Sequence, residues 1–112
     1  MKKLMMALIA CCPLSVLAAA PDCASWPMNM AQVWLKNEKI VDIAQLDTAK
    51  TSKTLLAAEK KKDGIYTEVY RFIFHDKAGK SYELITKNDA SAEECSVSGV
   101  SVFLVSKSEI TE

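Results

Sequence analysis

The sequence predicts an α+β domain in which one N-terminal helix packs on a four-stranded antiparallel meander sheet. Three observations carry this. Apolar residues recur at helical spacing between Trp26 and Asn37, and from Thr51 onward the period shortens to that of strands. The first three strand-like runs are joined by short polar turns containing glycine, which makes successive strands antiparallel neighbours.

Ahead of that domain the chain opens MKKLMMALIACCPLSVLAAAPDC. Two lysines, a mostly apolar run from Leu4 to Ala20 and a cluster of small residues read as a secretory signal peptide over residues 1–19. Pro13 and Ser15 interrupt the run, and no later segment is apolar enough to cross a bilayer, so no transmembrane segment is expected in the mature chain. Cleavage after Ala18 or Ala19 puts small residues where a signal peptidase needs them, whereas cleavage after Ala20 would place Pro21 just beyond the cut. Leu8-Ile9-Ala10-Cys11 resembles a bacterial lipobox, which would make Cys11 a lipidated N-terminus. The apolar run before that cysteine is very short and continues past it to the alanine cluster, which favours plain cleavage. The expected product is a single periplasmic or secreted domain, residues 20–112. Loss of Lys2 and Lys3 leaves 12 basic residues against 14 acidic ones, so no basic excess draws in nucleic acid.

Cys11 and Cys12 leave with the leader, so Cys23 and Cys95 remain as an even pair in a chain sent to an oxidising compartment, and they are expected to form a disulfide. Such a bond joins the start of the mature chain to the loop before the last strand. It suits a domain too small to hold a large core. Glu93 and Glu94 directly precede Cys95 and disfavour a thiolate there, which argues against a reactive thiol.

Trp26, Met30, Val33 and Trp34 fall on one helical face, expected to be core, with Ser25 able to cap the first turn and Pro27 tolerated early in it. The stretch from Asn37 to Lys50 reads as a loop with one helical turn. Lys53 to Lys60 reads as the first strand, followed by the turn Lys60-Lys61-Lys62-Asp63-Gly64, whose Asp-Gly supplies positive-φ geometry. Ile65 to Phe74 is rich in aromatic and β-branched residues and reads as a long second strand. After the polar turn His75 to Lys80, Ser81 to Lys87 reads as the third strand and Val100 to Ser106 as the fourth, with the tail from Lys107 frayed. The connection Asn88 to Gly99 is longer than hairpins use, and tying Cys95 to Cys23 would restrain it. In general architecture this resembles the cystatin-like arrangement, a helix gripped by a curved antiparallel sheet. The resemblance is carried by element order, not by a motif.

Phe72-Ile73-Phe74 and Val102-Phe103-Leu104-Val105 are apolar at consecutive positions, so both faces of those strands need cover. One helix covers one face. The segment Ile40 to Leu46 is expected to fold over part of the other; what it leaves bare is available to a partner or to a second copy in a homodimer. Tyr66 and Tyr70 share a strand side with Phe72 and Phe74, and tyrosines with a wet end are natural contact residues.

No cofactor or metal is implied: there is no HExxH, no paired Cys-x-x-Cys and no calcium-loop spacing, and Gly64, Gly79 and Gly99 all fall where turns need them. His75 is the one histidine and sits at a polar turn. The reading is a non-catalytic exported protein-binding module, with an inhibitor or immunity protein as its finer form. Its contact residues are expected to be Asp89, Glu93 and Glu94 of the acidic loop with Tyr66 and Tyr70, and its partner another exported or envelope protein. Two rivals stand beside it. One is a small hydrolase using Asp89, Glu93 or Glu94 with His75 as proton carrier; the other is an envelope structural or assembly protein.

Overall fold

The computed structural model describes residues 20–108. The leader, its cleavage after Ala18 or Ala19, the Cys11 alternative and residues 109–112 lie outside them. Among the described residues one α-helix, α1 (Ser25–Asn37), precedes four strands: β1 (Ser52–Lys60), β2 (Tyr66–His75), β3 (Ser81–Ala90) and β4 (Ser101–Ser108). The strands pair in chain order, each antiparallel to the next. The predicted helix on a four-stranded meander is the observed architecture.

The helix is rolled relative to the sequence expectation. Its buried residues are Pro27, Ala31, Gln32 and Leu35, with Ala24 just ahead of it, while Val33 is 38% exposed and Trp26, Met30 and Trp34 are half-buried. The reason is steric. Small Ala31 lets the helix backbone come close to the sheet, nearest β3 and then β4, and Ala24 and Ala31 join the buried cluster of Tyr70, Phe72, Phe74, Tyr82 and Leu84, while bulky Trp26 and Met30 stay half-buried. Ser25 is not the cap: Ala24 holds that position in helical geometry with no side-chain bond, and its carbonyl accepts from the Met28 N–H at 3.0 Å.

At its other end the helix closes with paired bonds, from the Lys39 N–H to the Lys36 carbonyl and from the Ile40 N–H to the Leu35 carbonyl, both 3.0 Å. This is the closure that usually places glycine at the left-handed residue, yet Lys39 occupies it at φ 60°. Replacing Lys39 by glycine is therefore expected to raise stability by roughly 0.5–1 kcal/mol, measured by urea denaturation. An unchanged or lowered midpoint would show that Lys39 is not strained.

Along β2, Tyr66, Glu68, Tyr70, Phe72 and Phe74 point toward the helix and are buried, with the rings of Tyr70, Phe72 and Phe74 stacked in sequence. Tyr82, Leu84, Thr86, Asn88 and Ala90 of β3 lie beside them, all buried. Leu46 joins the same core, and Ile40 and Val41 pack on it. The segment Ile40 to Leu46 thus extends the helical layer and does not cross to the second face. Backbone bonds dictate this: Leu46 bridges to Asp76, the Lys77 N–H donates to the Gln45 carbonyl at 2.9 Å and the Asp47 N–H to the His75 carbonyl at 2.8 Å. The expected single helical turn is two short 3-10 turns, Ile43–Gln45 and Thr48–Lys50.

The turns follow their residues. Asp63 and Gly64 take φ of 61° and 73° between β1 and β2. Between β2 and β3 the Asp76 carboxylate accepts from the N–H groups of Ala78 and Lys80, each at 2.9 Å, and from the Tyr82 hydroxyl at 2.9 Å. Desolvation pushes that carboxyl up, but these bonds and Lys80 outweigh it and hold Asp76 below the ordinary range.

β3 runs past Lys87, because Asn88, Asp89 and Ala90 pair with Glu68, Thr67 and Tyr66. The polar residues stay in the strand by bonding across it: the Thr67 hydroxyl donates to Asp89 Oδ1 at 2.6 Å. The long connection is accordingly shortened to residues 91–100. Likewise Lys107 and Ser108, expected to fray, continue β4 opposite Tyr82 and Ser81. Cys23 and Cys95 are disulfide-bonded, with their Cα atoms 5.3 Å apart.

Candidate functional site

The structure separates the residues that the sequence grouped as contacts. Glu93 and Glu94 are exposed in the loop after β3. That loop is held in shape: the Ser91 N–H donates to the Glu94 carbonyl at 2.8 Å, the Ser98 hydroxyl oxygen accepts from the Asp89 N–H at 2.9 Å, and the disulfide fixes Cys95. Asp89 is a half-buried strand residue whose carboxylate is engaged by Thr67. Tyr66 and Tyr70 are 9% and 4% exposed and belong to the helix-facing side of the sheet, so they offer no free surface. The physical reason is their alternation with Phe72 and Phe74 on the face that the helix and the N-terminal segment cover.

His75 ends β2, whereas Asp89 pairs with Thr67 near its beginning. The eight intervening steps of an extended strand place them roughly 26 Å apart, and Glu93 and Glu94 follow Asp89 at that far end. The only histidine therefore shares no site with the loop carboxylates, and no proton can pass between them. Among the described residues no group of three or more His, Cys, Asp or Glu side chains could hold a metal ion.

What the structure does bring together is an apolar surface along β4. Phe103 and Val105 are 55% and 53% exposed and Leu104 is 37% exposed, with Val97 at 40% in the preceding loop. Beside it, a shallow groove of about 130 Å³ is lined by Met30, Val33 and Trp34 of the helix and by Val100 and Val102. The stripe that the periodicity assigned to the core thus forms one wall of an open groove. β4 is an edge strand with one flank unpaired. The two edges of the sheet differ in how they are guarded. β1 carries Lys53, Glu59 and Lys60 and a bulge at Leu56; β4 has one charged side chain, Lys107, and its irregularity next to Glu83 and Leu84 leaves Val105 outside the register. An edge that is apolar, long and nearly uncharged is a template for another strand.

The second face of the sheet carries no layer among the described residues. Val69, Ile73 and Ile85 are half-buried there beside Arg71, whose Nε lies 3.9 Å from Glu83 Oε2. Phe103 of β4 pairs with Ile85 and so adds to this same face. No family model, no curated protein and no solved structure matches the chain.

A second feature lies in the core, and sequence reasoning missed it. Glu68 is 0% exposed, and neither of its carboxylate oxygens has a hydrogen-bond partner. Asn88 lies directly opposite on β3, with Thr86 two positions along, and Asn88 Oδ1 and Thr86 Oγ1 are also buried without partners. Burial, with Asp22 nearby, pushes the Glu68 carboxyl up to about 7. Burial, with Glu68 close by, pushes the Tyr70 phenol up to about 12, against a hydrogen bond from the Cys23 backbone. The signal was available: Glu68 has the same parity as Tyr66, Tyr70, Phe72 and Phe74, so alternation alone places it inside.

Proposed function

We propose that the chain is an exported, non-catalytic protein-binding domain that captures another exported or envelope protein along β4, as an inhibitor or immunity protein does. The exposed run Phe103, Leu104, Val105 on an edge strand with a single charged side chain carries this reading. A partner adds a strand there, its side chains reaching the groove between β4 and the helix, while Glu93 and Glu94 set the charge of the rim. Export follows from the leader-like opening of the sequence, and the Cys23–Cys95 bond suits the oxidising compartment it leads to. No helix among the described residues is long and apolar enough to cross a membrane.

The test is a pull-down from periplasmic extract with the wild type, with Phe103→Asp/Val105→Asp, and with Glu93→Ala/Glu94→Ala. The β4 variant is expected to retain the circular dichroism and melting of the parent, since both positions are more than half exposed, and to lose at least tenfold in partner recovery. The loop variant is expected to change association rate and salt dependence more than affinity. Equal recovery by all three proteins would remove β4 from the interface. Sedimentation of the isolated chain decides the second occupant: a dimer that dissociates on the β4 substitutions reassigns the edge to self-association.

A further inference from the structure

Tyr66, Glu68, Asn88 and Ala90 are buried together where β2 begins and β3 finishes, Tyr66 paired with Ala90 and Glu68 with Asn88. Neither Tyr66 nor Ala90 belongs to the cluster packed under the helix. The disulfide reaches this end of the sheet from both of its halves. Cys23, itself buried, gives its backbone N–H to the Tyr70 hydroxyl, and the Cys95 carbonyl accepts from Asn88 Nδ2 at 3.4 Å.

Opposed residues on one face of an antiparallel pair have Cβ atoms about 5 Å apart, so the Glu68 carboxyl and the Asn88 amide lie within reach of each other. Both carboxyl oxygens and Asn88 Oδ1 are buried without a partner. All three are acceptors when Glu68 is ionised, and a proton on the carboxyl turns one of them into a donor. The Asn88 amide nitrogen is spent on two long bonds, to the carbonyls of Cys95 and Asp89, each 3.4 Å. Bonds of that length are easily exchanged for a charge-assisted one.

We propose that Glu68 and Asn88 form a proton-operated clasp on the disulfide loop. With its proton in place, the Glu68 hydroxyl donates to Asn88 Oδ1 and leaves the Asn88 amide nitrogen on the Cys95 carbonyl. When the proton passes to solvent, the carboxylate takes the Asn88 N–H donors for itself, the bond to Cys95 breaks, and residues 91–98 are left to their own short-range bonds. The groups around Glu68 set the switch. Ala58 faces it from β1, where Lys60 and Lys53 are offset to positions opposite Tyr66 and Phe72, and neither lysine is bonded to it. β3 contributes Asn88 and Thr86, its own strand Tyr66 and Tyr70, and the N-terminal segment Asp22, while the helix has one charged residue, Lys36, in its last turn. Burial and the like charge of Asp22 both favour the protonated form and bring the transition to about 7. The loop carries Glu93 and Glu94, so the clasp regulates the rim of the β4 interface; that use rests on the binding reading above, whereas the clasp itself does not.

The test follows the exported chain by NMR, with its disulfide intact, on both sides of the Glu68 transition. As pH rises, the Asn88 side-chain nitrogen is expected to shift with the same midpoint as the Glu68 carboxyl carbon. Over the same range, hydrogen-exchange protection of the Ser91 and Glu94 amides should fall at least about tenfold relative to the Ala78 and Lys80 amides of the Asp76 turn. Glu68→Gln, whose amide donates at every pH, should keep the loop protected throughout. Asn88→Ala should leave Glu68 titrating while the loop no longer responds. An Asn88 side chain that ignores the Glu68 transition overturns the clasp, as does a loop response that survives in either variant. None of these readouts needs a partner, so they stand apart from failure of the β4 interface.

Discussion

Replacing Cys23 and Cys95 together by serine is expected to lower the free energy of unfolding by about 4 kcal/mol, the value that loop-closure entropy assigns to a covalent loop of this length. The bond spans a sequence separation of 72 residues and encloses α1 and β1 to β3. Two structural losses add to the entropic one. Cys23 is buried beside Tyr70, and Cys95 anchors a connection whose other ties are single hydrogen bonds such as that from the Asp89 N–H to Ser98. Small domains have total stabilities of about 5–15 kcal/mol, so the variant should be only marginally folded. Urea denaturation measures this, with a steeper slope expected once the unfolded chain is no longer crosslinked. A loss below about 1 kcal/mol would show that the noncovalent core suffices.

The second large effect concerns the buried carboxyl of Glu68. Its folded-state value of about 7 lies above the ordinary 4.5. The folded protein therefore holds a proton through this window that the unfolded chain gives up. Stability is fully present below about 4.5 and is lost as pH rises through about 7, after which this group adds no further slope. The window corresponds to roughly 3 kcal/mol. Glu68→Gln should remove the slope, being more stable than its parent at pH 8 and no more stable at pH 4, because an amide cannot ionise and can donate to the free oxygens of Asn88 or Thr86. Thermal melts of both proteins across that range check it. Parallel curves would mean that Glu68 ionises without cost and that water reaches it.

The existence and order of the strands and their turns were legible because each depends on neighbours in the chain: Asp63-Gly64 for one turn, Gly79 for the next, alternation from Tyr66 to Phe74 for the long strand. What depends on packing was not. Ala24 and Ala31 face the sheet because they are small, and no helical period distinguishes that face from the adjoining Trp26, Met30, Val33 stripe. Asn88 and Asp89 have poor strand propensity, yet pairing with Glu68 and Thr67 keeps them in β3. The side to which Ile40 to Leu46 turns was set by contacts with Asp76 and Lys77, about thirty residues away. The acidic loop was found by composition, but how much of the apolar edge beside it stays exposed shows only once the helix is seen to lie nearest β3 and to leave Phe103, Leu104 and Val105 bare.

The sulfur bridge also determines how the molecule bears tension. A pull between the two ends of the chain passes from residue 23 straight to residue 95, and the helix and the first three strands lie off the load path. β4 alone is in series with the force, so traction unzips the strand from its neighbour Ser81–Ala90 and leaves the remaining fold intact. Among the described elements, the exposed edge strand is thus also the one that can be peeled away mechanically.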